Sequence, residues 1–452
     1  MNSRCTPSGE IVAMVMEYLT IPERRTAASV CRQWRNSVFN ESFFKQICVK
    51  VSRPTDLSAL STSALYRRFR NVSIDYTHGN IDEVMLGNFL IGSPIERISI
   101  NGESKPVKAW LENTLPFLRC LLYLKIETWM KKDDKDENLK KMKPASIGEI
   151  EEIGINHPGV KVLELKNFSA CTITEINCPA LIVFHTSTNR FGANCELLPI
   201  FEKYTNLQEL SLNDEHMALT EELEFDMLVH LVKLQLDGRS FKVNRKFFNS
   251  ISRMPRLHTL HLVNCMFCLP DEAQATYVVS SRITTFVVCS DMPAIIILNF
   301  PNLKKLTCLC NGSDLNRNIQ LMCRFYSVLE EINIGVPSNL YNLHYCDPLM
   351  EFISEFRCLR SIQFTRMFTI NITWPVSNIL DIEKIRFLEC GVEGEAALLI
   401  ADKFPALRDL FLDNCSLMGE TDIFEIDEKC SRGLRSYIPR CRISFRGSSV
   451  SE

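Results

Sequence analysis

The sequence lacks a charge of one sign. Its 51 Lys and Arg stand against 54 Asp and Glu, a formal net charge of −3. Such a balance gives no overall attraction to nucleic acid or an anionic membrane, so neither is expected as a partner. Long apolar runs are missing too. Residues 294–298 form a typical one, far below the roughly 20 residues of a bilayer span. The N-terminal stretch is interrupted by Glu10 and Glu17 and has no small-residue cleavage site, unlike a secretory signal. The 19 cysteines are odd in number and, at about 4% of the chain, too sparse for a secreted disulfide scaffold. Reduced thiols, and hence a cytoplasmic or nuclear setting, are expected.

Catalytic signatures are absent as well. No HExxH, GxxxxGK[ST], GxGxxG or GxSxG string occurs. His157, His185, His230 and His261 are scattered without ligand spacing. Cys265 and Cys268 make half of a zinc site with no second pair to complete it. Neither a metal nor a cofactor is therefore expected, nor an enzyme. What is present in quantity is apolar side chain, 46% of residues against 23% charged, which excludes a disordered or collagen-like chain.

Those apolar residues are periodic. An apolar residue followed three and five positions later by two more recurs at Leu207-Leu210-Leu212, Leu231-Leu234-Leu236, Leu257-Leu260-Leu262 and Leu407-Leu410-Leu412. Looser copies start at Phe69, Ile95, Leu118, Val160, Leu181, Ile283, Leu303, Leu329, Leu359 and Ile382, and Leu121-Leu124-Ile126 competes with the copy at Leu118. The fourteen starts give a mean period of 26 residues. Pro116, Pro158, Pro179, Pro255, Pro301 and Pro405 each stand two residues before a start, where proline stops a helix and favours extended chain. Cys265, Cys390 and Cys415 occupy the ninth position of their copies, where a small polar side chain bonds the turning backbone. Between copies, residues 196–204, 245–254, 347–356 and 393–404 carry helical spacing, with Asp347 and Pro348 as cap and first turn of one. This pattern resembles the leucine-rich repeat family. It implies an α/β solenoid of about 14 strand-helix units, curved, with a parallel sheet on its concave face. A mixed-charge insertion, residues 131–143, interrupts the array and is expected to be a solvated loop or exposed helix.

Residues 1–50 do not follow the repeat. Ser8 caps a first expected helix with a buried stripe of Ile11, Val12, Val15, Met16 and Leu19. Thr20 and Pro22 begin a second, and Val30, Cys31, Trp34 and Val38 mark a third. The run from Pro7 to Leu19, followed by Val30-Cys31-Arg32-Gln33-Trp34-Arg35, resembles the F-box, from which it departs at Thr6 and at Arg24, Arg25 and Thr26. The expected layout is a helical module over 1–50, a linker and entry to the solenoid over 51–68, repeats over 69–430 and a tail over 431–452.

The combined resemblance implies a substrate-recognition subunit of an SCF-type ubiquitin ligase. A Skp-type adaptor, and through it a cullin-RING ligase, would dock on Pro7, Ile11, Val12, Val15, Leu19, Val30, Cys31 and Trp34. An unknown target protein would lie on the outward-pointing strand residues, where alternate positions leave a mixed polar surface. Its best candidates are Gln235, His261, Gln363, Lys384, Arg386 and Phe411. The competing readings are a repeat scaffold or inhibitor unconnected to ubiquitin, and a ligase with its own catalytic cysteine.

Overall fold

The computed structural model describes residues 9–19, 21–38, 45–61, 69–78, 81–129, 151–166, 171–187, 203–213, 225, 227–239, 241–268, 277–278, 282–290, 298–310, 326, 328–336, 356–367, 381–393, 404–418, 423–425 and 442–446. The chain divides into two compact units, Met1–Tyr204 and Thr205–Glu452. Among the described residues no helix is long and apolar enough to cross a membrane.

The first unit opens with three short helices, α1 (Gly9–Glu17), α2 (Ile21–Ala28) and α3 (Arg32–Val38). Six ladder strands follow, β1 (Cys48–Val51), β2 (Asn71–Asp75), β3 (Arg97–Glu103), β4 (Tyr123–Trp129), β5 (Val162–Lys166) and β6 (Val183–Ser187). Each is hydrogen-bonded in parallel to the next. Side chains alternate between the two faces of a strand, so the spacing of three and five becomes two inward rows. One row runs Val49, Val72, Ile98, Leu124, Leu163 and Phe184, each paired with its neighbour and at most 9% exposed.

Parallel neighbours need long crossovers. Here they carry the helices α4 (Pro54–Ser61), α5 (Glu83–Ile91) and α6 (Ser104–Asn113). Asp82 caps α5 by accepting from the Val84 and Met85 N–H groups, both at 3.0 Å. Behind β5 and β6 the crossover is extended instead: Glu151–Asn156 pairs in parallel with Cys171–Asn177. The expected charged insertion over 131–143 lies outside the described residues.

In the segment expected as linker and entry to the solenoid, 51–68, the repeats are already under way, because β1 and α4 form a strand-helix unit. Its copy of the pattern, Gln46-Val49-Val51, is hidden by a polar first position. The copy near Leu118 is in fact Leu121-Leu124-Ile126, all fully buried. Leu118, 3% exposed, is the residue that opens the preceding turn, whose closing bond is Leu121 N–H to Leu118 O at 3.1 Å. Both leucines face the core, one to hold the turn and one to begin the strand. Pro116 consequently lies inside the short 3-10 helix Leu115–Phe117 and not at the position shared by the other prolines.

The second unit stacks ten parallel ladder strands. These are β7 (Glu209–Asn213), β8 (Lys233–Asp237), β9 (Thr259–Val263), β10 (Thr285–Ser290), β11 (Lys305–Cys310), β12 (Glu331–Gly335), β13 (Ser361–Thr365), β14 (Lys384–Leu388), β15 (Asp409–Asp413) and β16 (Arg442–Arg446). The last shows that the expected tail over 431–452 contributes a strand, paired with β15 from Asp409↔Arg442 to Asp413↔Arg446. Arg440 at the first apolar position conceals that copy.

Helix α7 (Arg245–Arg253) falls where its spacing predicts. Asn244 caps it through the Phe247 N–H at 2.9 Å, and Phe247, Phe248 and Ile251 are buried. Of the other expected helices, 347–355 and 394–403 lie outside the described residues, as does most of 196–204. Residues Gly391–Glu393 form a small strand against Ser416–Met418.

The cysteine positions explain how these strands end. Asn264, Glu389 and Asn414 take left-handed φ values of 52°, 54° and 52°, turning the chain away from the ladder. The next residue in each case is a cysteine whose thiol reaches two carbonyls. Cys265 Sγ lies 3.4 Å from Val263 O and 3.5 Å from Leu236 O. Cys390 contacts Leu388 O and Phe364 O at 3.3 and 3.4 Å. Cys415 contacts Asp413 O and Phe387 O, both at 3.4 Å. Each thiol thus ties its own turn to the preceding strand.

Candidate functional site

The N-terminal module has a core of Val12, Met16, Ala27 and Val38, with Leu19, Ala28 and Trp34 packed against it. In a helix, residues three and four apart share a face. Val12 and Met16 use one face of α1 for that core and are 1% and 0% exposed. Another face carries Ile11, Met14, Val15 and Tyr18, which are 54%, 63%, 43% and 86% exposed. These lie at positions i, i+3, i+4 and i+7, so α1 has two apolar stripes and its own module covers only one. The expectation of a single buried stripe containing Ile11 and Val15 is corrected accordingly. Three helices this short enclose room for only one line of side chains from α1.

The expected docking residues separate along the same division. Ile11 and Val15 stand in the open stripe, Val30 is 62% exposed in the turn after α2, and Cys31 is exposed. Val12 faces inward. Leu19 and Trp34 are half-buried against the core, and Pro7 lies outside the described residues. Cys31 Sγ also accepts the Trp34 N–H at 3.5 Å, holding the start of α3. Met14 and Tyr18 were missed by the sequence reading, although their spacing from Ile11 was a usable signal. The departure at Arg24 has a structural reason: the side chain is 5% exposed and its Nε donates to Leu19 O at 3.0 Å, closing the end of α1.

On the second unit, strand register aligns outward side chains into rows. One row reads Ser211, Gln235, His261, Val287, Thr307, Asn333, Gln363, Arg386 and Phe411. The expected target-binding residues Gln235, His261, Gln363, Arg386 and Phe411 therefore fall in a single line. Lys384 sits in the adjacent row beside Ser361 and Asp409. Burial and the nearby Lys233 hold the His261 imidazole below its ordinary pKa. Toward β12–β15 the outward side chains interlock. Gln363 Nε2 donates to Thr365 Oγ1 at 3.2 Å, and Thr365 Oγ1 to Asn333 Oδ1 at 3.0 Å. Arg386 Nε donates to Asp413 Oδ2 at 2.9 Å, and its Nη2 bonds the same oxygen.

The outward face of the first unit has its own polar cluster. The Arg97 guanidinium lies 4.1 Å over the Tyr123 ring. Burial, with Glu164 beside it, pushes the Tyr123 phenol up to about 12.

Among the described residues no group of three His, Cys, Asp or Glu is placed to hold a metal. Burial drives the Cys178 and Cys415 thiols up to about 11 and Cys265 to about 12. A thiol so raised stays protonated at neutral pH and is a poor nucleophile. The turn cysteines Cys265 and Cys415 are thus suited to donating hydrogen bonds and not to forming thioesters.

Residues 10–50 match the family model described as F-box-like. No curated protein matches the chain. Among solved structures, an internalin of Listeria monocytogenes is 14% identical over 86% of this chain and 86% of its own, with a TM-score of 0.35. TLR13, solved as a complex with ssRNA13, is 13% identical over 88% of this chain and 61% of its own, with a TM-score of 0.46. The mouse RP105/MD-1 complex contains a chain 12% identical over 84% of this one and 79% of its own, with a TM-score of 0.31.

Proposed function

We propose that this protein, an F-box-like module followed by leucine-rich repeats, is the substrate-recognition subunit of an SCF-type E3 ubiquitin ligase. The module docks a Skp-type adaptor, and the outward strand faces hold a target protein. The adaptor links the assembly to a cullin-RING ligase, and ubiquitin transfer to the target follows from proximity. Raising effective concentration in this way leaves the bond chemistry to other subunits, so this chain is a non-catalytic receptor. The free thiols at described positions support a reducing compartment, cytoplasm or nucleus.

The observation that carries the reading is the open stripe of Ile11, Met14, Val15 and Tyr18, within the segment that matches the F-box-like family model. Four large apolar side chains held in water at helical spacing are unfavourable unless a partner covers them. At about 25 cal/mol per Å² of apolar surface buried, one such side chain contributes roughly 1 kcal/mol or more on docking. Co-purification with the Skp-type adaptor tests it. The wild-type chain should retain adaptor at micromolar concentration. Ile11→Asp combined with Val15→Asp should release it while leaving the circular dichroism spectrum unchanged, since neither side chain belongs to the module core. A wild-type chain that retains no adaptor would instead be a repeat scaffold or inhibitor independent of ubiquitin.

A further inference from the structure

Where a target would lie on the second unit is set by the interlocked residues of β12–β15. Two polar residues there are buried, Thr365 at 4% and Asp413 at 8% exposed. Each holds the outward-facing groups beside it. The Thr365 hydroxyl donates to Asn333 Oδ1 and accepts from Gln363 Nε2. That arrangement engages the Asn333 carbonyl and one Gln363 N–H with Thr365, leaving the Asn333 amide nitrogen and the Gln363 carbonyl oxygen to bond a ligand. A donor and an acceptor therefore stand on adjoining strands. Asp413 takes Nε and Nη2 of Arg386 on a single oxygen, so the guanidinium is fixed in orientation with Nη1 left over. Gly335 permits this packing: a Cβ there would lie 2.1 Å from Thr365 O.

The charge near this cluster leans positive. Asp413 offsets Arg386, and Arg442 lies 3.5 Å from Asp409. Exposed Lys384, between Ser361 and Asp409 in register, forms no ion pair within 4.0 Å among the described residues. Further along the same outward row stands Val287, and the row on its other side from that of Lys384 carries Cys289 and Leu309. Val287 is four strands from Arg386. At about 4.8 Å per strand that distance is about 19 Å, the length of roughly six extended residues.

We infer that this face binds an extended, acidic segment of the target, running across the strands. Its main-chain N–H and C=O groups pair with Gln363 and Asn333, a carboxylate reaches Arg386 and Lys384, and an aliphatic residue about six positions away rests on Val287 and Leu309. This deepens the receptor reading, resting on its assignment of target binding to the strand faces.

The test is selection of a phage-displayed library of random linear 12-residue peptides on the immobilised full chain. Enriched peptides are expected to carry Asp or Glu about six positions from Leu, Ile or Val. Lys384→Glu should weaken the best synthetic peptide at least tenfold, and Arg386→Lys, which keeps the charge but loses the fork on Asp413, should do likewise. Lys233→Ala, four strands from the Asn333 amide, should leave affinity unchanged. Lys384 is exposed, so its variant reads binding without perturbing the fold. No enrichment, enrichment without an acidic position, or full affinity in both Lys384→Glu and Arg386→Lys overturns the inference. Adaptor retention is measured on the same preparations. Peptide binding without adaptor binding removes the ligase reading and keeps this site, whereas adaptor binding without acidic peptides removes this site alone.

Discussion

Single residues in this protein are constrained by the backbone around them, and the clearest cases are a glycine and a histidine. Gly335 ends β12 where β13 comes so close that an added methyl would overlap the Thr365 carbonyl oxygen and lie 2.8 Å from Thr365 Cβ. Gly335→Ala should therefore cost about 1–3 kcal/mol of stability, the range for overpacking, read from urea denaturation. His157 is 2% exposed, with Nε2 2.9 Å from Leu118 O and Nδ1 accepting the Gly159 N–H at 3.1 Å. The second bond fixes the neutral tautomer, in which Nε2 donates. Burial lowers the His157 pKa below 6.5. A group whose pKa is lower folded than unfolded contributes stability that is complete above the unfolded value and lost as pH falls through it. The first unit should therefore lose stability on acidification from pH 7 to 5.5, and His157→Gln should flatten that slope in pH-dependent thermal unfolding.

At the scale of elements, the strands were more legible in the sequence than the surfaces they form. Leucines at three and five specify an inward row wherever all three positions are apolar, as in β7, β8 and β9. The pattern hid β1 and β16 because Gln46 and Arg440 occupy a first position that these strands leave polar. It wavered at Leu118 because the turn residue and the strand residue there are both buried leucines. Crossovers were less readable: the same apolar spacing that gives α7 is replaced by paired strands behind β5 and β6. In α1 the sequence placed apolar residues at Ile11, Val12, Val15 and Met16 but did not divide them between inside and outside, since that depends on where α2 and α3 pack. The outward rows followed from strand alternation, whereas the Thr365 and Asp413 contacts depend on cross-strand register. Helix α1 yields its own prediction. Met14→Ser and Tyr18→Ser should each weaken adaptor binding several-fold in calorimetric titration, with thermal unfolding of the free protein unchanged, because neither belongs to the module core.

On the scale of the whole molecule, each unit is a stack in which a ladder strand bonds only to the strands before and after it. Stability in such a stack is close to a sum of repeat terms and nearest-neighbour terms. Deleting residues 442–446 would uncover β15 and should raise hydrogen exchange in β14 and β15 while leaving β7–β9 near their original protection. Uniform loss of protection across all ten strands would show the unit to be one cooperative block instead. The sequential pairing also bears on how the protein is made. No described ladder strand in the second unit waits for a bonding partner more than one repeat away. A nascent chain can consequently consolidate strand by strand as it leaves the ribosome, its earlier repeats already shielded while the later codons are still being translated.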